Sequence, residues 1–309
     1  TIPTILYFHE NQFAYPENLS AVDTRASSQP RLVERQVERQ ITSIYTAISA
    51  DLLLFNSSFN RDTFTKGAAE LLAKLPDGVP EGLIETLTLK TTIQSVPLKQ
   101  DTFASRAESR PSELFAELLQ APFPRAFPQR RSENRTDPLN IVWNHRWEYD
   151  KGLDSLTSLV DRLMTATGED RVILHIIGQS FRQVPTVLQQ IKATLERHRS
   201  LGQFGFLTSR QDYLDLLRAS HVVLSTAIHE FQGIAVLEAM ACGCIPVVPN
   251  ALAYKEFVPE AYRYDTNSMA VSKLLALTDA HGAGTMPAAP NVERLSWDHQ
   301  VLAWQGHLT

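Results

Sequence analysis

Sulfur is scarce in this chain: among 309 residues the only two cysteines are Cys242 and Cys244, on either side of one glycine. Two thiols supply too few ligands for a zinc-type site, and no second ligand cluster accompanies them. They read instead as small residues packing in a tight turn between a helix and a strand, reduced as in a cytosolic protein. Long apolar runs are also missing, so the sequence offers no bilayer-spanning helix. Thr1-Ile2-Pro3-Thr4 has neither a basic region nor a cleavage pattern, so no signal peptide is expected and the localisation expected is cytoplasmic. Positive charge is not in excess. Lys plus Arg total 29 against 34 Asp plus Glu, a net of −5 that argues against a surface coated by nucleic acid while leaving room for a local basic patch. No serine or cysteine nucleophile constellation, P-loop or internal repeat is present. What remains is an ordinary globular composition, 43% hydrophobic and 20% charged, long enough for two domains.

Strand and helix signals alternate along most of the chain. Ile5–Phe8 reads as a buried strand ending in His9-Glu10-Asn11-Gln12. Val33, Val37, Ile41, Ile44 and Ile48 fall at helical spacing between Pro30 and Ala50. Asp51–Phe55 is a second buried strand, stopped by Asn56-Ser57-Ser58, and Ser58 is expected to cap the next helix. Thr92–Val96 reads as a third. Residues 99–138 are broken by Pro111, Pro122, Pro124, Pro128 and Pro138, with a short helix expected near 112–120. Arg125, Arg130, Arg131 and Arg135 in this stretch read as a solvated linker more readily than as phosphate contacts. The domain boundary is placed here. Beyond it, strands are expected at Asn140–Trp143, Val172–Ile177, near Phe204–Phe206, at His221–Ser225 and at Ile245–Val248. Helices are expected near 153–166, 184–198, 209–219, 234–241 and 267–279, the third opened by a Ser209/Asp212 capping arrangement. This alternation predicts a parallel, doubly wound sheet, with ligands beyond the carboxyl ends of its strands. His281–Asn291, rich in Gly, Pro and Ala, is expected to be loose, and an amphipathic segment around Trp297, Val301, Leu302 and Trp304 closes the chain.

Two carboxylates eight positions apart, Glu230 and Glu238, flank a turn that opens a helix at Gly233-Ile234. A helix N-terminus presents free N–H groups and a positive dipole end, which suits phosphate. Carboxylates accept hydrogen bonds from sugar and ribose hydroxyls. The pair therefore predicts a nucleotide-sugar site, with the backbone of Gln232, Gly233 and Ile234 on the donor. Asn144–Gly152 follows a strand directly, and its Arg146 and Lys151 are candidates for a diphosphate. His9-Glu10-Asn11-Gln12 is polar after a buried strand. Either a structural network satisfies these side chains or His9 serves as a catalytic or sugar-contacting group. Asn56-Ser57-Ser58 favours the cap over a ligand contact. His145 and His229 flank the two motifs and either shape their loops or touch ligand.

Together these residues resemble the retaining glycosyltransferases of the GT-B fold, the GT4-like group. That group carries a Glu-x7-Glu motif, here EFQGIAVLEAMACGCIPVV, and a basic residue with Lys-Gly after the first strand of its second domain, here Arg146 and Lys151-Gly152. It also has a histidine at a strand end in its first domain, matched by His9. The strings YFHENQFAYP, LLLFNSSFN, IVWNHRWEYDKG and STAIHEFQGIAVLEA are similar to the tRNA-queuosine alpha-mannosyltransferase family. The resemblance implies an α/β fold of two Rossmann-like doubly wound domains facing a cleft. The first is expected to be incomplete at its N-terminus, because such domains usually open with further strand–helix units and a Gly-rich loop. It implies a first domain over 1–136 with its linker, a nucleotide-sugar domain over 137–290, and a terminal helix in 291–309 crossing back.

The implied reaction moves a sugar, mannose from GDP-mannose, to a hydroxyl of queuosine in tRNA with retention at the anomeric carbon. In it Arg146, Lys151 and the N–H groups of Gln232–Ile234 face the leaving diphosphate, Glu238 holds the ribose, and His9 and Glu230 attend the transferred sugar. Glu10, Asn11 and Gln12 lie on the acceptor side. No metal and no cofactor beyond the donor is expected, and no membrane partner. Two rival readings stay open: the same chemistry on a small-molecule, lipid or glycan acceptor, and a non-catalytic nucleotide- or RNA-binding module.

Overall fold

The computed structural model describes residues 2–14, 29–75, 78–103, 137–179 and 185–308. The helix expected near 112–120 and the four arginines of 125–135 lie outside them. The chain forms two compact units. One comprises Thr1–Val96, Ile228–Gly233 and Val301–Thr309, the other Pro97–Ala227 and Ile234–Gln300.

The first unit is built on three parallel strands, β1 (Ile5–Phe8), β2 (Leu52–Phe55) and β3 (Thr91–Ile93), in that spatial order. Ile5 pairs with Leu52 and Phe8 with Phe55, so the apolar runs lie in register and end together. Helices Gln29–Ser49, Ser58–Leu72 and Leu83–Leu89 accompany the sheet. Phe8 stacks on Phe55 with ring centroids 4.8 Å apart, and Phe64 packs on both. The first helix buries Ile44 and Ala47, while Ile48 stays 37% exposed. The buried face therefore continues through Ala47 to Ala50, just past the helix end, and leaves Ile48 to one side. The Lys90 ammonium donates to the carbonyls of Ile48 and Ala50, a cation at the helix C-terminus. The second helix is capped by Ser57, whose hydroxyl accepts from the Asn60 N–H at 3.0 Å, and not by Ser58.

The second unit holds a six-stranded parallel sheet in the order β6-β5-β4-β7-β8-β9. The strands are β4 (Leu139–Asn144), β5 (Val172–Ile177), β6 (Leu201–Gly205), β7 (Val222–Leu224), β8 (Ile245–Pro249) and β9 (Arg263–Tyr264). Counted from its own first strand this is the doubly wound order of a Rossmann sheet, whose direction of winding reverses between β4 and β7. β4 is buried along almost its whole length because helices cover both faces, which is why it reads as a continuous apolar run. Helix Leu153–Thr167 buries Leu156, Leu159, Val160 and Leu163 into the same core. Most of the stretch expected to be loose is exposed, though Met286 packs on the core, and just beyond it Val292 and Leu295 are buried. The Leu98 N–H donates to the Leu295 carbonyl at 2.7 Å. Neither cysteine is in a disulfide. The Cys244 thiol is buried and donates to the Leu217 carbonyl, matching the small-residue turn read from the sequence.

His175 on β5 accepts from the Gln203 N–H at Nδ1 (2.9 Å), which leaves the proton on Nε2, facing the Asn140 side-chain oxygen at 3.2 Å. Burial pushes its pKa from 6.5 down to about 4. A group held neutral in the fold loses stability as pH falls, because the unfolded chain takes up the proton first. The protein is therefore expected to lose stability from pH about 6.5 down to about 4, and His175→Gln to show a shallower slope in urea-unfolding titrations across that window.

Candidate functional site

In the second unit the polar groups gather where the winding reverses. Asn144 ends β4 with its side chain buried. Its Nδ2 donates to the Ala235 carbonyl at 2.8 Å and to the Tyr213 hydroxyl at 3.1 Å. Asn144 thereby ties the β4 loop to the first turn of helix Ile234–Ala241 and to helix Arg210–Ala219. His145 is next, 3% exposed, edge-on to Trp143 at 5.1 Å. Burial pushes its pKa down to about 3, and the positive charges of Lys151 and Arg146 add to the shift. The ring is neutral at physiological pH and does not act as a third cation there.

Arg146 and Lys151, the two predicted phosphate cations, come together on one carboxylate. Lys151 Nζ lies 3.1 Å from Asp150 Oδ2 and Arg146 Nη2 lies 3.6 Å from the same oxygen. Arg146 also faces Glu148 at 3.8 Å. Among the described residues neither Asp150 oxygen makes a hydrogen bond, so charge holds this buried group in place. Lys151 is buried with it, its side chain 8% exposed, whereas Arg146 is 44% exposed. Sequence reading found the cations and missed their counter-ion, although Asp150 adjoins Lys151.

Backbone geometry fixes Lys151. Gly152 adopts φ +68°, and a Cβ there would run into the carbonyl oxygen of Thr226. The Thr226 hydroxyl donates to the Lys151 carbonyl at 2.8 Å and accepts from Trp143 Nε1 at 3.0 Å. The loops after β4 and β7 are thus bonded to each other.

Glu238 lies on helix Ile234–Ala241, its side chain 14% exposed. One oxygen faces Arg210 Nη1 at 2.7 Å and the other accepts from the Tyr213 hydroxyl at 2.9 Å. Neither partner was read from the sequence as a site residue. Ser209 does cap helix Arg210–Ala219, which places 210 and 213 together in its first turn, but nothing local points them at Glu238.

In the first unit, His9 and Glu10 are exposed beyond β1. The His9 ring sits edge-on to Tyr7 at 4.6 Å, and Tyr7 packs on Trp304 at 5.3 Å. Tyr7 donates to the Gln94 carbonyl at 2.7 Å, and burial raises its pKa, so it stays a donor. Asn11 serves the fold. Its Nδ2 donates to Asn60 and Thr63, and its Oδ1 accepts from the N–H groups of Phe13 and Ala14. Asn56 joins this network, donating to the His9 carbonyl at 2.9 Å. Gln12 is half-buried, and its carbonyl accepts from Gln40. Glu230, Gln232 and Gly233 also belong to this unit. Gln232 uses its amide as a strand uses its backbone, accepting from the Val96 N–H at 2.9 Å and donating to the Val96 carbonyl at 2.8 Å. Gly233 takes φ +81° just before the helix that begins at Ile234. Glu230 is half-buried.

Among the described residues no group of three or more His, Cys, Asp or Glu side chains is arranged to hold a metal ion, and no helix is long and apolar enough to cross a membrane.

Residues 1–98 match the family model described as tRNA-queuosine alpha-mannosyltransferase N-terminal, and residues 126–271 match glycosyl transferases group 1. The chain is 30% identical over 270 residues to tRNA-queuosine alpha-mannosyltransferase of Drosophila melanogaster, covering 87% of this chain and 63% of that protein. The chain thus spans under two thirds of that relative's length. Among solved structures, Anabaena HepE in complex with UDP and glucose superposes with a TM-score of 0.62 at 14% identity, over 99% of this chain and 72% of its own. A trehalose-phosphate synthase of Burkholderia xenovorans gives a TM-score of 0.61 at 17% identity, over 99% of this chain and 67% of its own. These likenesses show the GT-B fold.

Gly152→Ala is expected to cost roughly 1–3 kcal/mol, because it adds a strained φ to a clash with backbone. Urea denaturation measures it. A change of less than about 0.5 kcal/mol would mean that the two loops are not locked together.

Proposed function

We propose that the chain is a group 1 glycosyltransferase of the tRNA-queuosine alpha-mannosyltransferase family and that it transfers a sugar from a nucleoside diphosphate to a hydroxyl of queuosine in tRNA, with retention of configuration. The observation that carries the reading lies in the second unit. Arg146 and Lys151 follow β4 where the winding reverses, and Glu238 is joined to the end of the same strand through Tyr213 and Asn144. Open parallel sheets bind nucleotides at that place. Cations suit the pyrophosphate and a carboxylate suits the ribose.

The bond between the anomeric carbon and the phosphate oxygen breaks while a bond forms to the acceptor oxygen. The acceptor proton passes to the departing phosphate. Negative charge grows on the diphosphate, and Arg146 and Lys151 stabilise it more as it grows. Each cation already faces a carboxylate, so the cluster around Asp150 is nearly neutral before the donor arrives. The diphosphate competes with Asp150 and Glu148 for the same two groups. That favours a bound nucleotide which still leaves after transfer. His9 and Glu230 are assigned to the transferred sugar, Glu10 and Gln12 to the acceptor, and the N–H groups of Gln232–Ile234 to the donor phosphates. The donor assigned is GDP-mannose. The relative's name supports mannose, and the base follows from the family resemblance. A tRNA acceptor implies work in the cytoplasm.

Incubation with radiolabelled GDP-mannose is expected to label tRNA that contains queuosine and to leave tRNA lacking it unlabelled. Labelling of simple alcohols or glycans in preference to tRNA would overturn the acceptor. Lys151→Ala is expected to lower turnover by roughly 100-fold or more, the usual loss for one transition-state charge partner. Near-normal turnover would remove Lys151 from the mechanism.

A further inference from the structure

The Glu238 carboxylate is held by two donors from one helix turn. Arg210 Nη1 reaches one oxygen at 2.7 Å and the Tyr213 hydroxyl the other at 2.9 Å. Both partners are themselves oriented. Arg210 forks onto Asp101, Nη2 to Oδ1 at 3.1 Å and Nε to Oδ2 at 3.3 Å, and its Nη2 also reaches the Thr102 hydroxyl at 3.1 Å. The Tyr213 oxygen accepts from Asn144 Nδ2 at 3.1 Å, so its own proton is directed to Glu238. We propose that Arg210 and Tyr213 are positioning residues that hold Glu238 as a fixed, ionised acceptor for the ribose hydroxyls of the nucleotide, with Asp101 fixing Arg210 in turn. The inference rests on the donor reading above and extends it to three residues outside the Glu-x7-Glu motif.

The chemistry favours a bound polyol over a simple fastening of two helices. A carboxylate offers about four lone-pair directions, and these contacts take one on each oxygen. Acceptor capacity remains on both oxygens, and a vicinal diol has two hydroxyls to donate. Arg210 is shared between Asp101 and Glu238, so the trio keeps one net negative charge. That charge strengthens hydrogen bonds donated to it. Protonation states agree. The Arg210 hydrogen bond holds Asp101 below its ordinary carboxylate range. Burial opposes the charge on Arg210, but Asp101 and Glu238 outweigh it and raise the pKa. Burial, then the charge of Glu238, holds Tyr213 well above the ordinary phenol value, so it remains a hydroxyl donor.

The test compares ribose with a sugar that lacks the diol. GDP and UDP are titrated into the full chain by calorimetry, and the tighter of the two is then compared with its 2′,3′-dideoxy form. The wild-type protein is expected to prefer the ribonucleotide by roughly tenfold or more, the effect of one charge-assisted hydrogen bond. Arg210→Met and Tyr213→Phe are each expected to reduce that ratio to about threefold or less while leaving affinity for the dideoxy form unchanged. Arg210→Lys should recover part of it. Asp101→Asn should act in the same direction as Arg210→Met. A ratio unchanged in Tyr213→Phe and Arg210→Met, or equal weakening of both nucleotides, would make these residues structural fasteners and overturn the proposal. A wild-type protein that binds neither nucleotide, or shows no preference for ribose, would overturn the donor reading itself.

Discussion

The second unit depends on one close approach, the backbone of Gly152 against the carbonyl of Thr226. The Thr226 hydroxyl completes the lock, donating to the Lys151 carbonyl while accepting from Trp143. Two loops that leave different strands are held as one piece at the point where the sheet reverses its winding. The backbone of Lys151 is therefore fixed, and Asp150 holds its ammonium at 3.1 Å. The left-handed Gly152 turns the chain into helix Leu153–Thr167 immediately after the cation, and the buried leucines of that helix anchor the loop from behind. The Lys151-Gly152 pair thus has a physical reason, since the lysine supplies the charge and only a residue without Cβ fits beside Thr226.

Charge in this region is arranged in shared clusters. Lys151 and Arg146 share Asp150, and Arg210 is shared by Asp101 and Glu238. Burying an unpaired charge costs several kcal/mol, so a ligand-free cation site needs resident counter-ions. On the proposed reading, a diphosphate competes with those counter-ions for the two cations. His145, neutral beside two cations, fits the same arrangement: a third positive charge in so little solvent would be strongly unfavourable. Its buried Nε2 has no hydrogen-bond partner among the described residues, an imperfection that the Trp143 ring contact only partly offsets.

Much of this was legible in the sequence because parallel strands buried on both faces are continuous apolar runs. Ile5–Phe8, Val172–Ile177 and the helix Ile234–Ala241 fall where the pattern puts them. β9, two residues long, is too short to show a period, and the helix Leu83–Leu89 has an apolar pattern too brief to stand out. The cap at Ser57 lies one residue before the one expected, because Asn60 also reaches back to the Phe8 carbonyl and draws the helix start with it. Side-chain roles set by distant partners were not legible. Nothing local marks Gln232 as a clamp on Val96, or Asn11 as the centre of a network joining β1 to the following helix. Arg210 and Tyr213 meet Glu238 only after the chain has folded through β7, so the motif reveals one partner and hides the others.

The central claim is that the carboxyl end of the second unit's sheet receives a nucleoside diphosphate. A crystal structure of the protein with GDP tests it most directly. The account predicts phosphate oxygens within hydrogen-bonding distance of Lys151 and Arg146, and the ribose diol on Glu238 with the Arg210 and Tyr213 contacts intact. A nucleotide seated elsewhere, with the Lys151–Asp150 pair undisturbed and Glu238 turned away from the ribose, would contradict it.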